Sequence, residues 1–268
     1  KGKNNPFYDL YAFANDVENK DWIAFQYTTL DGGFVTAQEI EAAKQDMSER
    51  QFKQEFLATF ETYENRVAWA FARETHVVNE PPDLPTSIIH IGMDFNINPA
   101  VATVSIQSDK DTLVVIDEIQ MYGSNTDEMS GEILRRYPNS KVFVYPDPSG
   151  SRRQTSSGGQ SDHTILQNAG FIVKAPRKHD PVRDRINATN ARFKSADGKI
   201  NLYITKTAKY TIECLEKHQF KEGTMVPDKD SGYDHMFDAL SYCVAFMYPI
   251  RKTVTQPQTL ARWGHRIS

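Results

Sequence analysis

The sequence predicts an α/β fold, a mixed sheet flanked by helices and preceded by a linker segment with helices and a strand. Three observations carry this expectation. After residue 87, short β-branched apolar runs recur (SIIHIGMD, AVATVSIQ, TLVVIDEI, KVFVYP), each bounded by polar or turn-forming residues. Between and beyond them stand segments whose apolar residues fall at three- and four-residue spacing, the period of a helix with one buried face. A Pro-rich stretch, NEPPDLPTS at 79–87, separates this alternating pattern from a first part of different texture.

In the first part, WIAFQYTT (22–29) has the composition of a strand. TAQEIEAAKQDM offers a capping box, Thr36 with Glu39, and SERQFKQEFLATF repeats the device with Ser48 and Gln51. Phe52, Phe56 and Phe60 then mark one buried face of the second helix. About 80 residues with one strand and two or three helices make a poor independent domain. The expected organisation is therefore 1–80 as the tail end of something larger plus linker, 87–250 as the main domain, and 251–268 as a flexible tail without periodicity.

In the main domain, strands are expected at 88–94, 100–106, 112–119 and 141–146, with another near 171–174. The first three follow closely enough to form an antiparallel meander. A helix at 125–136 crosses over to the fourth, 183–194 is a second helix, SADGK (195–199) is a turn, and INLYI is a short strand. The segment 233–247 is the last strong helix, with Phe237, Leu240, Val244 and Met247 on its apolar side. Three strands, a helix and a fourth strand ending in an acid is the order of the ribonuclease-H-like fold.

Bulk properties narrow the function classes. The chain has 268 residues, 39% hydrophobic and 25% charged, and lacks any apolar run approaching a membrane span. It starts at Lys1 without Met and carries no signal peptide, so it is expected to be a fragment of an intracellular protein. Two cysteines, Cys214 and Cys243, cannot build a metal knuckle, and Cys243 falls in an apolar helix as a small core residue. The net charge of −4 hides a basic stretch: residues 174–194 hold seven Lys/Arg against Asp180 and Asp184, a local charge of +5. No GxxxxGK[ST], GxSxG, HExxH or paired CxxC occurs, and the seven histidines show no metal spacing.

Three acidic positions carry the chemistry: Asp94 in GMDFNINPA, Asp147 in VYPDPSG, and Asp234 with Asp238 in YDHMFDALSY. The first two close apolar runs and so stand at or near strand ends. Asp234 and Asp238 share a helix face at i and i+4, with His235 able to reach the same side. Each taken alone has a plain structural reading, as a turn former or as a complement to a helix N-terminus. Two carboxylates stacked on a helix repel, and a cation reverses that sign. Together they fit a site for hard divalent cations, which in pairs stabilise attacking and leaving oxygens in phosphodiester hydrolysis. Asp117 and Glu118, ending LVVIDEI, are rival ligands ranked below Asp147. The Gly/Ser-rich loop after Asp147 carries Arg152 and Arg153, and is either a passive linker or a segment that meets a phosphate backbone.

GMDFNINPA, VYPDPSG and YDHMFDALSY, in this order and spacing, resemble the nuclease domain of the large terminase subunit of tailed bacteriophages. KGKNNPFYDL resembles the stretch closing that family's ATPase core, and 22–60 its connection to the nuclease. The resemblance covers all but the tail after Arg251. It implies a metal-dependent, ribonuclease-H-like endonuclease that cuts concatemeric viral DNA during genome packaging in the host cytoplasm, at the procapsid. Two Mg²⁺ or Mn²⁺ ions would be held by Asp94, Asp147 and Asp238 as catalytic ligands, with Asp234 or His235 completing the set. The family often has adjacent acids where this chain has Asp234–His235, so the direct ligand among Asp234, His235 and Asp238 stays open. Double-stranded DNA, a portal protein and the small terminase subunit are the implied partners. ATP hydrolysis would belong to an upstream domain whose motifs this chain lacks. Arg152, Arg153, Lys174, Arg177, Lys178, Arg183 and Arg185 are expected to meet DNA phosphates. The rivals are a resolvase- or transposase-type nuclease on the same fold and a catalytically silent portal-docking module.

Overall fold

The computed structural model describes residues 6–15, 19–60, 65–79, 86–96, 98–151, 160–176 and 181–250. Among these, four helices come first: α1 (Pro6–Ala14), α2 (Ala37–Asp46), α3 (Glu49–Phe56) and α4 (Arg73–His76). Thr36 and Glu39 form the expected reciprocal capping box on α2. Ser48 caps α3 by accepting from the Gln51 amide at 3.3 Å, while Gln51 Oε1 returns no bond. Phe52 and Phe56 stack at 5.0 Å and are buried. Phe60 departs from the expected helix: α3 ends at Phe56, Ala58 turns the chain with φ 52°, and the Phe60 ring packs instead on Phe7, Tyr8 and Tyr11.

The strand expected at 22–29 does not form. Residues 22–28 have no regular structure, and Trp22, Ile23, Phe25 and Tyr27 are between 52% and 74% exposed. β propensity needs a partner ladder and a face to cover, and among the described residues this segment has neither.

A seven-stranded sheet forms the body, in the order β1-β7-β4-β3-β2-β5-β6. Its strands are β1 (Val77–Val78), β2 (Ile88–Asp94), β3 (Ala100–Gln107), β4 (Leu113–Met121), β5 (Lys141–Pro146), β6 (Ile172–Val173) and β7 (Leu202–Thr205). The expected meander is present, with β2–β3 and β3–β4 antiparallel, and β5 returns parallel to β2. The later helices are α5 (Thr126–Arg136), α6 (Asp162–Asn168), α7 (Val182–Phe193), α8 (Lys209–Lys217) and α9 (Asp234–Met247). Neither α6 nor α8 was expected.

Packing crosses the Pro-rich boundary. Val77–Val78 pair with β7, and Val67, Ala68 and Phe71 share a buried cluster with Leu202, Phe237 and Leu240. Asn190 on α7 fastens this stretch, donating to Val67 O at 3.0 Å and accepting from Ala70 N at 2.9 Å. Residues from about 65 thus belong to the sheet domain rather than to the linker, because the sheet needs their apolar side chains to close one end of its core.

The long helix α9 lies across β2, β3 and β5 and is buried nearly all round: Met236, Phe237, Ala239, Leu240, Cys243 and Val244 are each at most 1% exposed. Gly92 in β2 makes this possible. A Cβ there would stand 2.1 Å from the carbonyl oxygen of Ala239, so only glycine admits the helix backbone so close to the strand.

Candidate active site

The parallel register of β2 and β5 sets Met93 opposite Pro146, so Asp94 and Asp147 leave adjacent strands side by side at their C-terminal ends. The following turns lock together. Asp147 N donates to Met93 O at 3.1 Å, and Gly150 lies so close to the Phe95 ring that a Cβ would stand 2.2 Å from it. Asp147 Oδ1 accepts from Ser149 N at 2.8 Å, and its backbone carbonyl meets His163 Nε2 at 3.0 Å.

The start of α9 reaches the same place. His235 Nδ1 is 3.3 Å from Asp94 Oδ2 and 3.1 Å from Asn96 Nδ2. Asp234 is 2% and Asp238 7% exposed. Burial pushes the Asp94 carboxyl above its usual range; the His235 contact pulls the other way, and the charges of Asp238 and Asp147 raise it further. His235 is shifted up, chiefly by its hydrogen bond to Asp94. Asp94 thus lies between Asp147 on the neighbouring strand end and the start of α9, which brings His235 into contact with it and carries Asp234 and Asp238.

Two cations that sequence reasoning did not place here complete the cluster. Arg185 was expected at the surface against DNA. It is instead 7% exposed, stacks over Tyr242 at 4.2 Å, and donates to Asp238 Oδ1 at 3.2 Å and to Ser241 Oγ. Its guanidinium is turned inward because α7 buries the face carrying Arg185, Thr189 and Phe193 against α9. A phosphate-binding role for Arg185 is thus corrected to one of holding Asp238. Lys229, in the loop before α9, puts Nζ 3.3 Å from Asp238 Oδ2 and 3.7 Å from Asp234 Oδ2.

Asp234 Oδ1 is buried without a hydrogen-bond partner. Among the described residues its one charged contact is His235 Nε2 at 3.8 Å, and a buried carboxylate oxygen short of a hydrogen bond, on the helix turn below Asp238, has the chemistry that a hard divalent cation seeks. Among the described residues no three His, Cys, Asp or Glu side chains stand close enough together, as they are placed, to hold a metal ion. Like charges hold apart, and Arg185, Lys229 and His235 each draw a carboxylate toward themselves.

The rival acids have other work. Asp117 accepts from Arg136 at 2.9 Å and Tyr137 at 3.0 Å. Glu118 caps α8, accepting from the amides of Tyr210 (2.9 Å) and Thr211 (2.7 Å) and from Thr211 Oγ1 (2.8 Å). Of the other expected DNA contacts, Lys174 and Arg183 are exposed, whereas Arg152, Arg153, Arg177 and Lys178 lie outside the described residues. Both cysteines are buried free thiols. A cleft of about 950 Å³ opens beside Asp94, lined also by Asn96, Ser124, Asp127, Gln160 and Asp162. Among the described residues no helix is long and apolar enough to cross a membrane.

No family model matches the chain. In sequence it is similar to the large terminase subunit of Escherichia phage T5, 24% identical over 255 residues that make up 89% of this chain and 55% of that protein. The chain thus spans about half the length of that relative. In structure it is similar to the large terminase of a thermophilic bacteriophage, with a TM-score of 0.64 and 17% identity over 91% of this chain and 60% of that one. It is also similar to the P22 large terminase nuclease domain (TM-score 0.51, 17% identity, 70% of this chain and 97% of that one). The nuclease of thermophilic phage G20c, solved with bound cobalt, gives a TM-score of 0.51 at 13% identity, over 69% of this chain and 98% of that one. The fold is the ribonuclease-H-like one of these domains. In sequence and in fold, the chain resembles the nuclease-bearing part of the large terminase subunit of tailed bacteriophages.

Proposed function

We propose that the chain is a metal-dependent DNA endonuclease, the cutting part of a terminase that severs concatemeric viral DNA during packaging. The observation that carries this reading is the meeting of Asp94 and Asp147 at adjacent strand ends with Asp234, His235 and Asp238 at the start of α9. Divalent ions, when bound, supply the positive charge that activates water and stabilises a departing 3′ oxygen. The protein's part is to hold oxygens ready. Asp94, Asp147 and Asp238 would be the principal ligands, Asp234 would offer its oxygen that lacks a hydrogen bond, and His235 would orient Asp94. Arg185 fixes the direction of Asp238, and Tyr242 covers Arg185 from solvent.

Lys174 and Arg183, exposed near this end of the sheet, would meet phosphates without reading sequence. Mg²⁺ or Mn²⁺ suits the oxygen-rich set, and the cobalt bound to the G20c nuclease supports a divalent ion on this fold. Portal protein and small terminase subunit are the partners this reading brings with it.

The test is a plasmid gel. Supercoiled DNA should be nicked or linearised with Mg²⁺ or Mn²⁺ and left intact in chelator, and Asp94→Asn or Asp147→Asn should each abolish cutting. Equal cutting with and without chelator sinks the metal account. An intact plasmid under every metal condition favours a non-catalytic docking module.

A further inference from the structure

Asp238 is held by two cations of different character. On Oδ1 sits Arg185, buried and fixed by Ser241 and Tyr242. On Oδ2, at 3.3 Å, sits the Lys229 ammonium, whose side chain is 64% exposed and which also stands 3.7 Å from Asp234 Oδ2. Lys229 therefore bridges the outer oxygens of both helix aspartates. Those side chains are only 3% and 10% exposed and cannot turn to water, whereas the lysine can.

The local chain delivers Lys229 to this point. Phe220 and Pro227 form an antiparallel bridge, Lys221 N donates to Val226 O at 2.9 Å, and Asp228 N donates to Gln219 O at 2.8 Å. This closes the excursion 219–228 and sets residue 229 beside the first turn of α9. Lys221, on the same excursion, points its ammonium to Asp230 at 3.0 Å, away from the cluster.

A single charge on a flexible stem between two buried carboxylates satisfies them in part, and leaves Asp234 Oδ1 without a hydrogen-bond partner. A divalent ion in contact with the same oxygens would satisfy them more fully, at closer range and with twice the charge. We infer that Lys229 is a tethered counter-cation. It holds the Asp234–Asp238 end of the cluster in the metal-free protein, gives way when a divalent ion enters, and so sets the concentration of metal needed to fill that end. This rests on the proposed metal site and adds to it a positioning residue that works against metal uptake.

The test is calorimetric titration of the 268-residue chain with Mn²⁺ alone, with thermal melts in chelator on the same samples. Lys229→Met should bind Mn²⁺ about five-fold more tightly, the scale of removing one partly exposed competing ion pair. It should also melt at lower temperature in chelator. Lys229→Arg should stay near wild type, and Lys221→Met, which removes a charge from the same excursion, should leave Mn²⁺ affinity unchanged. A merely structural lysine would give weaker Mn²⁺ binding when removed, never tighter. Folded Lys229→Met with unchanged or weaker Mn²⁺ affinity overturns the inference while leaving the metal site standing. A wild-type chain that binds no Mn²⁺ overturns both.

Discussion

Replacing Gly92 by alanine should damage stability and site together. The added Cβ would stand 2.1 Å from Ala239 O, 2.8 Å from Ala239 C and 2.9 Å from Thr103 Oγ1. Relief to an ordinary contact of 3.4 Å requires α9 and β2 to part by about 1.3 Å at this point. The obstacle is helix backbone, not the end of a flexible side chain, so the helix must move as a body. Overpacking of this kind costs about 1–3 kcal/mol, and a backbone clash belongs at the upper end. At roughly 2–4 °C per kcal/mol for a chain of this size, the midpoint should fall by roughly 6–12 °C.

The same displacement carries Asp238, one residue before Ala239, away from Asp94. Misplacing a reacting geometry by about 1 Å can lower a rate on the order of 100-fold. Melting in chelator and plasmid cutting per folded molecule, both on Gly92→Ala, check the two halves. Gly131→Ala is the contrast: that glycine is exposed on α5 with nothing near its Cβ position. It should gain about 0.5–1 kcal/mol from helix propensity. If Gly92→Ala melts like wild type and cuts normally, the close approach of α9 to β2 is wrong, and with it the reason the aspartates meet.

Further outcomes follow from other contacts. Arg185→Met should destabilise by about 3 kcal/mol by breaking a buried pair. It should leave the salt dependence of DNA binding unchanged, while Lys174→Ala with Arg183→Ala should make it shallower; the reverse pattern would restore Arg185 as a phosphate contact. Glu118→Ala should cost about 1–2 kcal/mol through the lost α8 cap, without altering Mn²⁺ affinity; a loss of affinity would make Glu118 a ligand after all. His90, buried against Phe143 and Tyr145, has its pKa held below the ordinary 6.5 by burial. The folded state then binds fewer protons than the unfolded one, so this stability is full above about 6.5 and lost as pH falls below it. His90→Gln should flatten the midpoint between about pH 7 and 5, and an unchanged slope there would refute the assignment.

Much of this site was legible because its acids end β-branched runs or open a helix, and those patterns are local. The meander was legible for the same reason, three short strands with short connections. What failed depended on distant partners. Glu118 looks like a strand-end ligand until the amides of Tyr210 and Thr211 are brought to it from 92 and 93 residues away. The basic count over 174–194 could not say which side of the helix is buried, although Arg185, Thr189 and Phe193 fall at four-residue spacing and, with Phe193 apolar, hinted at an inward face. Lys229 sits in a loop without periodicity and gave no signal. The 22–29 segment had strand composition but, among the described residues, no strand to pair with.

Among the described residues the sheet ends at both sides on strands of two residues, Val77–Val78 and Ile172–Val173. Such short rims offer almost no open ladder for another extended chain to join. A partner strand added at either of these rims would find a ladder of only two residues, so helices and loops offer a partner the larger surface there. The same brevity guards crowded copies of the chain from zipping edge to edge into fibres, a hazard that a sheet with long bare margins would carry.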